Sequence, residues 1–113
     1  MKIIDLITKD TLSLSFEVFP PKTESSFDSV KVATEEIAKL RPSFMSVTYG
    51  AGGGTSEYTT AICKALNDKG TTALAHLTCV SSDKFRIKCE LEKLSSQGIK
   101  NILALRAIFM FNN

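Results

Sequence analysis

Four side chains able to do chemistry stand at the ends of four short apolar segments: Glu17, Thr48, His76 and Arg106. A carboxyl can move a proton, a hydroxyl and an imidazole can hydrogen-bond to a reacting group, and a guanidinium can hold an anion. Taken singly, each also has an ordinary reading. Glu17 would be solvated, His76 a hydrogen-bonded structural histidine, Thr48 a strand former and Arg106 half of a surface ion pair. Their recurrence at the same place in four successive segments favours a site. A glycine loop, Gly50-Ala51-Gly52-Gly53-Gly54-Thr55, follows the second segment. It fails the dinucleotide fingerprint because Thr55 holds the place of the last glycine, and no Lys-Ser/Thr follows to make an ATP-type loop. It reads either as a flexible connection or as backbone that lets a flat ligand come close.

The segments that carry these residues read as strands: Ser13 to Phe19, Ser43 to Tyr49, Thr72 to Cys79 and Asn101 to Arg106. Each is short, aliphatic or β-branched, and bounded by turn formers. Three amphipathic helical patterns lie between them. The first carries Phe27, Val30, Ile37 and Leu40, with Ser25 and Asp28 as a capping box. The second carries Tyr58, Ile62, Ala65 and Leu66 and stops at Gly70. The third follows Ser82 as N-cap, carries Ile87, Leu91 and Leu94, and stops at Gly98. Pro42 blocks continuation of the first helix, and Pro20-Pro21 end the first strand.

Strand starts at 13, 43, 72 and 101 stand 30, 29 and 29 residues apart. A strand-helix unit repeating at that interval requires parallel strands, because each helix must carry the chain back across the sheet. Eight such units would need roughly 240 residues, the size of a (β/α)8 barrel. The predicted fold class is therefore α/β, with parallel (β/α) repeats making about half of a TIM-type barrel in a single partial domain over residues 1–113. Alternation puts Leu14, Phe16 and Val18 towards the helices and Glu17 inward. It likewise opposes Thr48 to Val47, His76 to Leu77, and Arg106, with Ile102 and Ala104, to Leu103 and Leu105. In a barrel, the reacting groups come from the strand ends at the C-terminal mouth.

Composition narrows the partners. The net charge of +2 arises from 14 basic and 12 acidic residues spread along the chain, with no basic stripe interleaved with aromatics, so no nucleic-acid partner is expected. Cys63, Cys79 and Cys89 form no CxxC pair, so neither a disulfide framework nor a zinc or other metal site is expected, and a reducing cytoplasm fits. The only apolar run near Met1 is interrupted by Asp5 and too short for a signal core, and no later run reaches membrane-spanning length. A soluble, cytoplasmic protein with no membrane partner is expected.

At these strand ends the chain resembles the methylenetetrahydrofolate reductase family. The resemblance lies in Ser15-Phe16-Glu17-Val18-Phe19-Pro20-Pro21-Lys22-Thr23 and Ser46-Val47-Thr48-Tyr49-Gly50-Ala51-Gly52-Gly53. It continues in Ala75-His76-Leu77-Thr78-Cys79 and Asn101-Ile102-Leu103-Ala104-Leu105-Arg106. It implies an eight-fold barrel that holds FAD at its C-terminal mouth. NAD(P)H would reduce the flavin, which would pass a hydride to 5,10-methylenetetrahydrofolate and give 5-methyltetrahydrofolate. By the same resemblance Glu17 is the general acid that protonates the pterin nitrogen and opens the ring to an iminium. That role is favoured where apolar surroundings keep a carboxyl neutral. Thr48, His76, Leu105 and Arg106 match positions that contact the flavin or its phosphates, and Phe19 belongs to the loop beside the folate.

The chain departs from the family where Gly-Asp is expected after Leu-Arg. Ala107-Ile108 stand there, followed by Phe109-Met110-Phe111-Asn112-Asn113. The expectation is a barrel cut short, with an atypical tail over 107–113 and no activity by itself. Two other readings compete. One is a non-enzymatic half-barrel that pairs its open sheet edges with another copy, as a homo-oligomer, or with a partner chain. The other is a complete small parallel α/β binding domain.

Overall fold

The structure, a computed structural model, describes residues 2–7, 12–21, 23–49, 56–79 and 83–105. Its elements alternate as the repeat predicts. A short helix α1 (Ile3–Leu6) precedes β1 (Ser15–Val18), and a 3-10 turn (Glu24–Ser26) leads into α2 (Phe27–Ala38). There follow β2 (Phe44–Val47), α3 (Ser56–Asp68), β3 (Ala73–Thr78), α4 (Lys84–Ser96) and β4 (Asn101–Leu105). The four strands form one sheet in the order β1-β2-β3-β4, and every pairing is parallel. Consecutive parallel neighbours joined by helices are the arrangement of successive units in a (β/α) barrel, here four strands of it.

The register fixes two faces. Met45 and Val47 of β2 and Ala73 and Ala75 of β3 point to the helical side, where all four are at most 1% exposed. Helix α3 meets them with Ile62, Cys63 and Leu66, spaced to share one helical face and each fully buried. The two alanines on β3 keep that surface shallow, so the helix can lie against it. Val18, Leu94 and Ile99 complete the core, with Phe16, Phe27, Val30, Ile37 and Ile102 packed around it. Burying each large aliphatic chain contributes about 1.5–3 kcal/mol. Phe27 and Tyr58, their ring centroids 5.6 Å apart, join the first turn of α2 to that of α3.

Helix ends follow the sequence in part. Gly70 (φ 86°) and Gly98 (φ 78°) occupy the left-handed region just past α3 and α4, as expected. After α2 the same role falls to Arg41, at φ 56°, directly before Pro42. The capping box of Ser25 and Asp28 does not form. Ser26 is the N-cap of α2 without a side-chain bond to the helix, and Thr23 Oγ1 instead lies 3.1 Å from Ser25 Oγ and donates to Ser26 Oγ at 3.2 Å. The preceding 3-10 turn shifts the helix start past Ser25. Helix α4 is capped by Asp83, whose Oδ1 accepts from the Arg86 amide at 2.8 Å. Ser82, the expected cap, lies outside the described residues. Leu40 falls beyond the end of α2 and is exposed rather than part of its apolar stripe.

Helix α1 had no counterpart among the sequence expectations. The Ile3 amide donates to Asn101 Oδ1 at 3.0 Å, tying the start of the chain to the first residue of β4. That bond lies at the N-terminal end of the strands, opposite the mouth that carries Glu17 and Thr48.

Candidate active site

In β1 the alternation that buries Val18 turns Glu17 to the other face of the sheet. Glu17 is level with Ser46 of β2, and Ser46 with Leu74 of β3. His76 stands one same-face step further along β3, level with Leu103 of β4, and Thr78 is level with Leu105. Glu17, Ser46, Leu74, His76, Leu103 and Leu105 therefore share a face.

On that face Glu17 Oε1 lies 3.6 Å from His76 Nε2. The contact crosses an intervening strand, since β1 and β3 are not neighbours. Strands two apart are separated by about 10 Å, so two long side chains meet only if the strand between them offers something small. Ser46 is that residue, 8% exposed beneath the pair. The imidazole is largely enclosed, with 10% of its side chain exposed, whereas the carboxylate is 51% exposed. The apolar surroundings expected around Glu17 are thus not supplied by the described residues, because its strand end opens to solvent.

Thr48 follows β2 and is held from two sides. Its amide donates to the Val18 carbonyl at 2.9 Å, and its carbonyl accepts from Thr59 Oγ1 at 2.9 Å. Leu105 ends β4, with its carbonyl accepting from the Cys79 amide at 2.9 Å. Phe19, just past β1, is 69% exposed. Arg106 and the glycine loop at 50–55 lie outside the described residues.

The expected facing of β4 is corrected. Ile102 and Ala104 are level with Ala75 and Leu77 on the helical side, and Leu103 and Leu105 take the face of His76. The physical reason is the core. Ile102 packs with the buried cluster, and a strand has only one parity. Sequence reasoning also passed over Ser46 and Thr59. The signal for Ser46 was a small polar residue inside an otherwise apolar strand.

The same face suits a flat, partly apolar ligand. Leu103 and Leu105 are 42% and 38% exposed beside the imidazole, an apolar surface with hydroxyls of Thr48 and Thr78 at its margin. Among the described residues no group of three His, Cys, Asp or Glu side chains is placed to hold a metal ion. Cys63 is no candidate nucleophile, since burial pushes its thiol up to about 12. No helix of the described residues is long and apolar enough to cross a membrane.

A parallel sheet built of successive (β/α) units puts the chain in the α/β class, with the strand order that part of a (β/α) barrel has. Within that class it belongs to the methylenetetrahydrofolate reductase family, whose sequence model matches residues 2–108.

Individual relatives agree. Methylenetetrahydrofolate reductase (NADH) 1 of Arabidopsis thaliana is 36% identical over 111 residues, covering 94% of this chain and 19% of the plant protein. Methylenetetrahydrofolate reductase 2 of Schizosaccharomyces pombe is 40% identical over 111 residues, 94% of this chain and 17% of the yeast protein. The 5,10-methylenetetrahydrofolate reductase of Escherichia coli is 34% identical over 96 residues, 84% of this chain and 32% of the bacterial protein. The chain thus spans less than a third of the length of each of these relatives.

Proposed function

We propose that these residues form the acid-bearing part of a flavin-dependent reductase that converts 5,10-methylenetetrahydrofolate to 5-methyltetrahydrofolate at the expense of NAD(P)H. The observation that carries the reading is the meeting of Glu17 and His76 at the mouth of a parallel sheet in a chain of this family.

Glu17 has the acid role. A carboxyl donates its proton to a nitrogen of the bridging ring, the carbon–nitrogen bond to the methylene carbon breaks, and an electrophilic iminium remains. FAD, when bound, supplies the hydride that reduces this carbon. Thr48, His76 and Leu105 would hold that group, Leu105 by its exposed apolar surface and Thr48 by a position fixed between β1 and α3. Because Glu17 is half exposed, water must be displaced from it before its carboxyl can meet the substrate nitrogen. The bound pterin is flat and broad enough to do this. Phe19 stands beside the same strand end, exposed and available to the substrate. Free cysteines at 63, 79 and 89 suit a reducing compartment such as the cytoplasm.

The test is the split between half-reactions in a full-length protein carrying these residues. Glu17→Gln keeps the shape of the side chain but has no proton of the required acidity. Reoxidation of reduced enzyme by methylenetetrahydrofolate should fall by about 10²–10⁴-fold. Reduction of the enzyme by NAD(P)H uses no proton from Glu17 and should fall far less. An equal loss in both would make Glu17 structural.

A further inference from the structure

The imidazole of His76 is doubly placed: beside the surface given above to the flavin, and against the carboxyl given to the acid. Its Nε2 faces Glu17 Oε1 at 3.6 Å across the small Ser46. On the four strands of this face, among the described residues, every other side chain is uncharged: Ser15 on β1, Phe44 and Ser46 on β2, Leu74 and Thr78 on β3, and Asn101, Leu103 and Leu105 on β4. The ring is enclosed and the carboxyl is not. In such a pair the enclosed member is the fixed one and sets where the other can go.

We infer that His76 is a positioning residue for the acid: its Nε2–H holds Glu17 Oε1, so that Oε2 is the oxygen that carries and delivers the proton. The inference rests on the folate-reductase reading for its substrate and on the contact itself for the pairing. A neutral carboxyl has one acceptor oxygen and one O–H, and a neutral imidazole has one donor nitrogen. If the ring donates from Nε2, Oε1 must be the acceptor and the proton must reside on Oε2. When Oε2 releases its proton to the substrate nitrogen, the carboxylate left behind keeps the same N–H bond. The imidazole neither gains nor loses a proton. At 3.6 Å the contact is longer than a hydrogen bond, and contacts of this kind tighten when substrate excludes water from the site.

His76 is the sole histidine of the chain, so its ring gives isolated signals in nitrogen-15 spectra. In the 113-residue chain the ring should favour the tautomer protonated at Nε2. Glu17→Ala should shift the Nε2 signal and raise the share of the Nδ1–H form, while Glu17→Gln, which keeps an acceptor oxygen, should restore the native signals. Glu17 is half exposed, so neither change threatens folding. Ring signals identical in the native chain and in Glu17→Ala would overturn the pairing.

A full-length protein carrying the pair supplies the second arm. There His76→Leu should slow the folate half-reaction about tenfold beyond any effect on flavin reduction. With Glu17→Gln already present, it should slow it no further. Equal effects in both backgrounds would show that His76 acts on the flavin alone and would overturn the inference. If the unmodified full-length protein reduces no folate, the functional reading fails instead, and the ring signals decide the pairing by themselves.

Discussion

Thr59 Oγ1 donates to the carbonyl of Thr48 at 2.9 Å, from a side chain only 2% exposed in the first turns of α3. The Thr48 amide is bonded to Val18 at the same time, so one residue past β2 is locked both to the neighbouring strand and to the following helix. The end of β2 is therefore held at one fixed point. That point is where the proposed flavin contact sits, which makes Thr59 a structural support for the mouth without touching a ligand.

Thr59→Val tests this bond, since it keeps the shape and removes the donor. It leaves the part-buried Thr48 carbonyl without this partner, and the expected loss is about 1–3 kcal/mol. Thr59→Ser keeps the hydroxyl and should cost less. Urea unfolding monitored by circular dichroism would show the midpoint falling at unchanged slope. A valine variant as stable as the native chain would remove the hydroxyl from the account.

The interval of strands near 30 residues and the alternation within them were enough to obtain the parallel α/β order and the helical side of β1, β2 and β3. Both are set by hydrophobic pattern, which a single sequence carries. The facing of β4 was not obtainable that way. Asn101 to Leu105 is apolar on both sides apart from its first residue, so period two alone offers two parities, and only Ile102 packing into the core chooses between them. Glu17 and His76 stood out as strand-end residues, but their contact depends on Ser46 and on register across two strand pairs. Register is a tertiary quantity. Asp83 rather than Ser82 as the cap of α4 differs by one residue, which is the scale on which helix starts are decided by neighbours.

Arg41 is the one described non-glycine residue at positive φ, 56°, and its side chain is exposed. An L-residue in the left-handed region is disfavoured by contact of its Cβ with the carbonyl, and glycine avoids this. Arg41→Gly should therefore stabilise the chain, by about 0.5–1 kcal/mol after the greater freedom of glycine in the unfolded state is set against the relief. Arg41→Ala keeps the Cβ and should leave stability near that of the native chain. Thermal unfolding of the two variants side by side decides it, and a glycine variant no more stable than the alanine one would show that the turn before Pro42 carries no such strain.

Cys63 gives the pH dependence its sign. The thiol is fully buried between α3 and the sheet, and desolvation raises it from the ordinary 9.0 to about 12. Below pH 9 the thiol is protonated in both the folded and the unfolded chain and contributes nothing to pH dependence. Between 9 and about 12 the unfolded chain releases this proton while the folded chain keeps it, so stability falls as pH rises, with a slope approaching about 1.4 kcal/mol per pH unit from this one group. Cys63→Ala should remove that part of the slope, whatever fixed cost the lost sulfur adds at every pH. Lysines and tyrosines titrate in both proteins and cancel in the comparison. Labelling gives an independent reading at pH 8. Cys89 is exposed and should react with a thiol reagent at once, whereas Cys63 should react only as fast as the chain opens, and faster as urea is added. Equal alkaline slopes in the two proteins, or labelling of Cys63 at the rate of Cys89 in the native chain, would mean that α3 does not close over the sheet as the packing of Ile62, Cys63 and Leu66 requires.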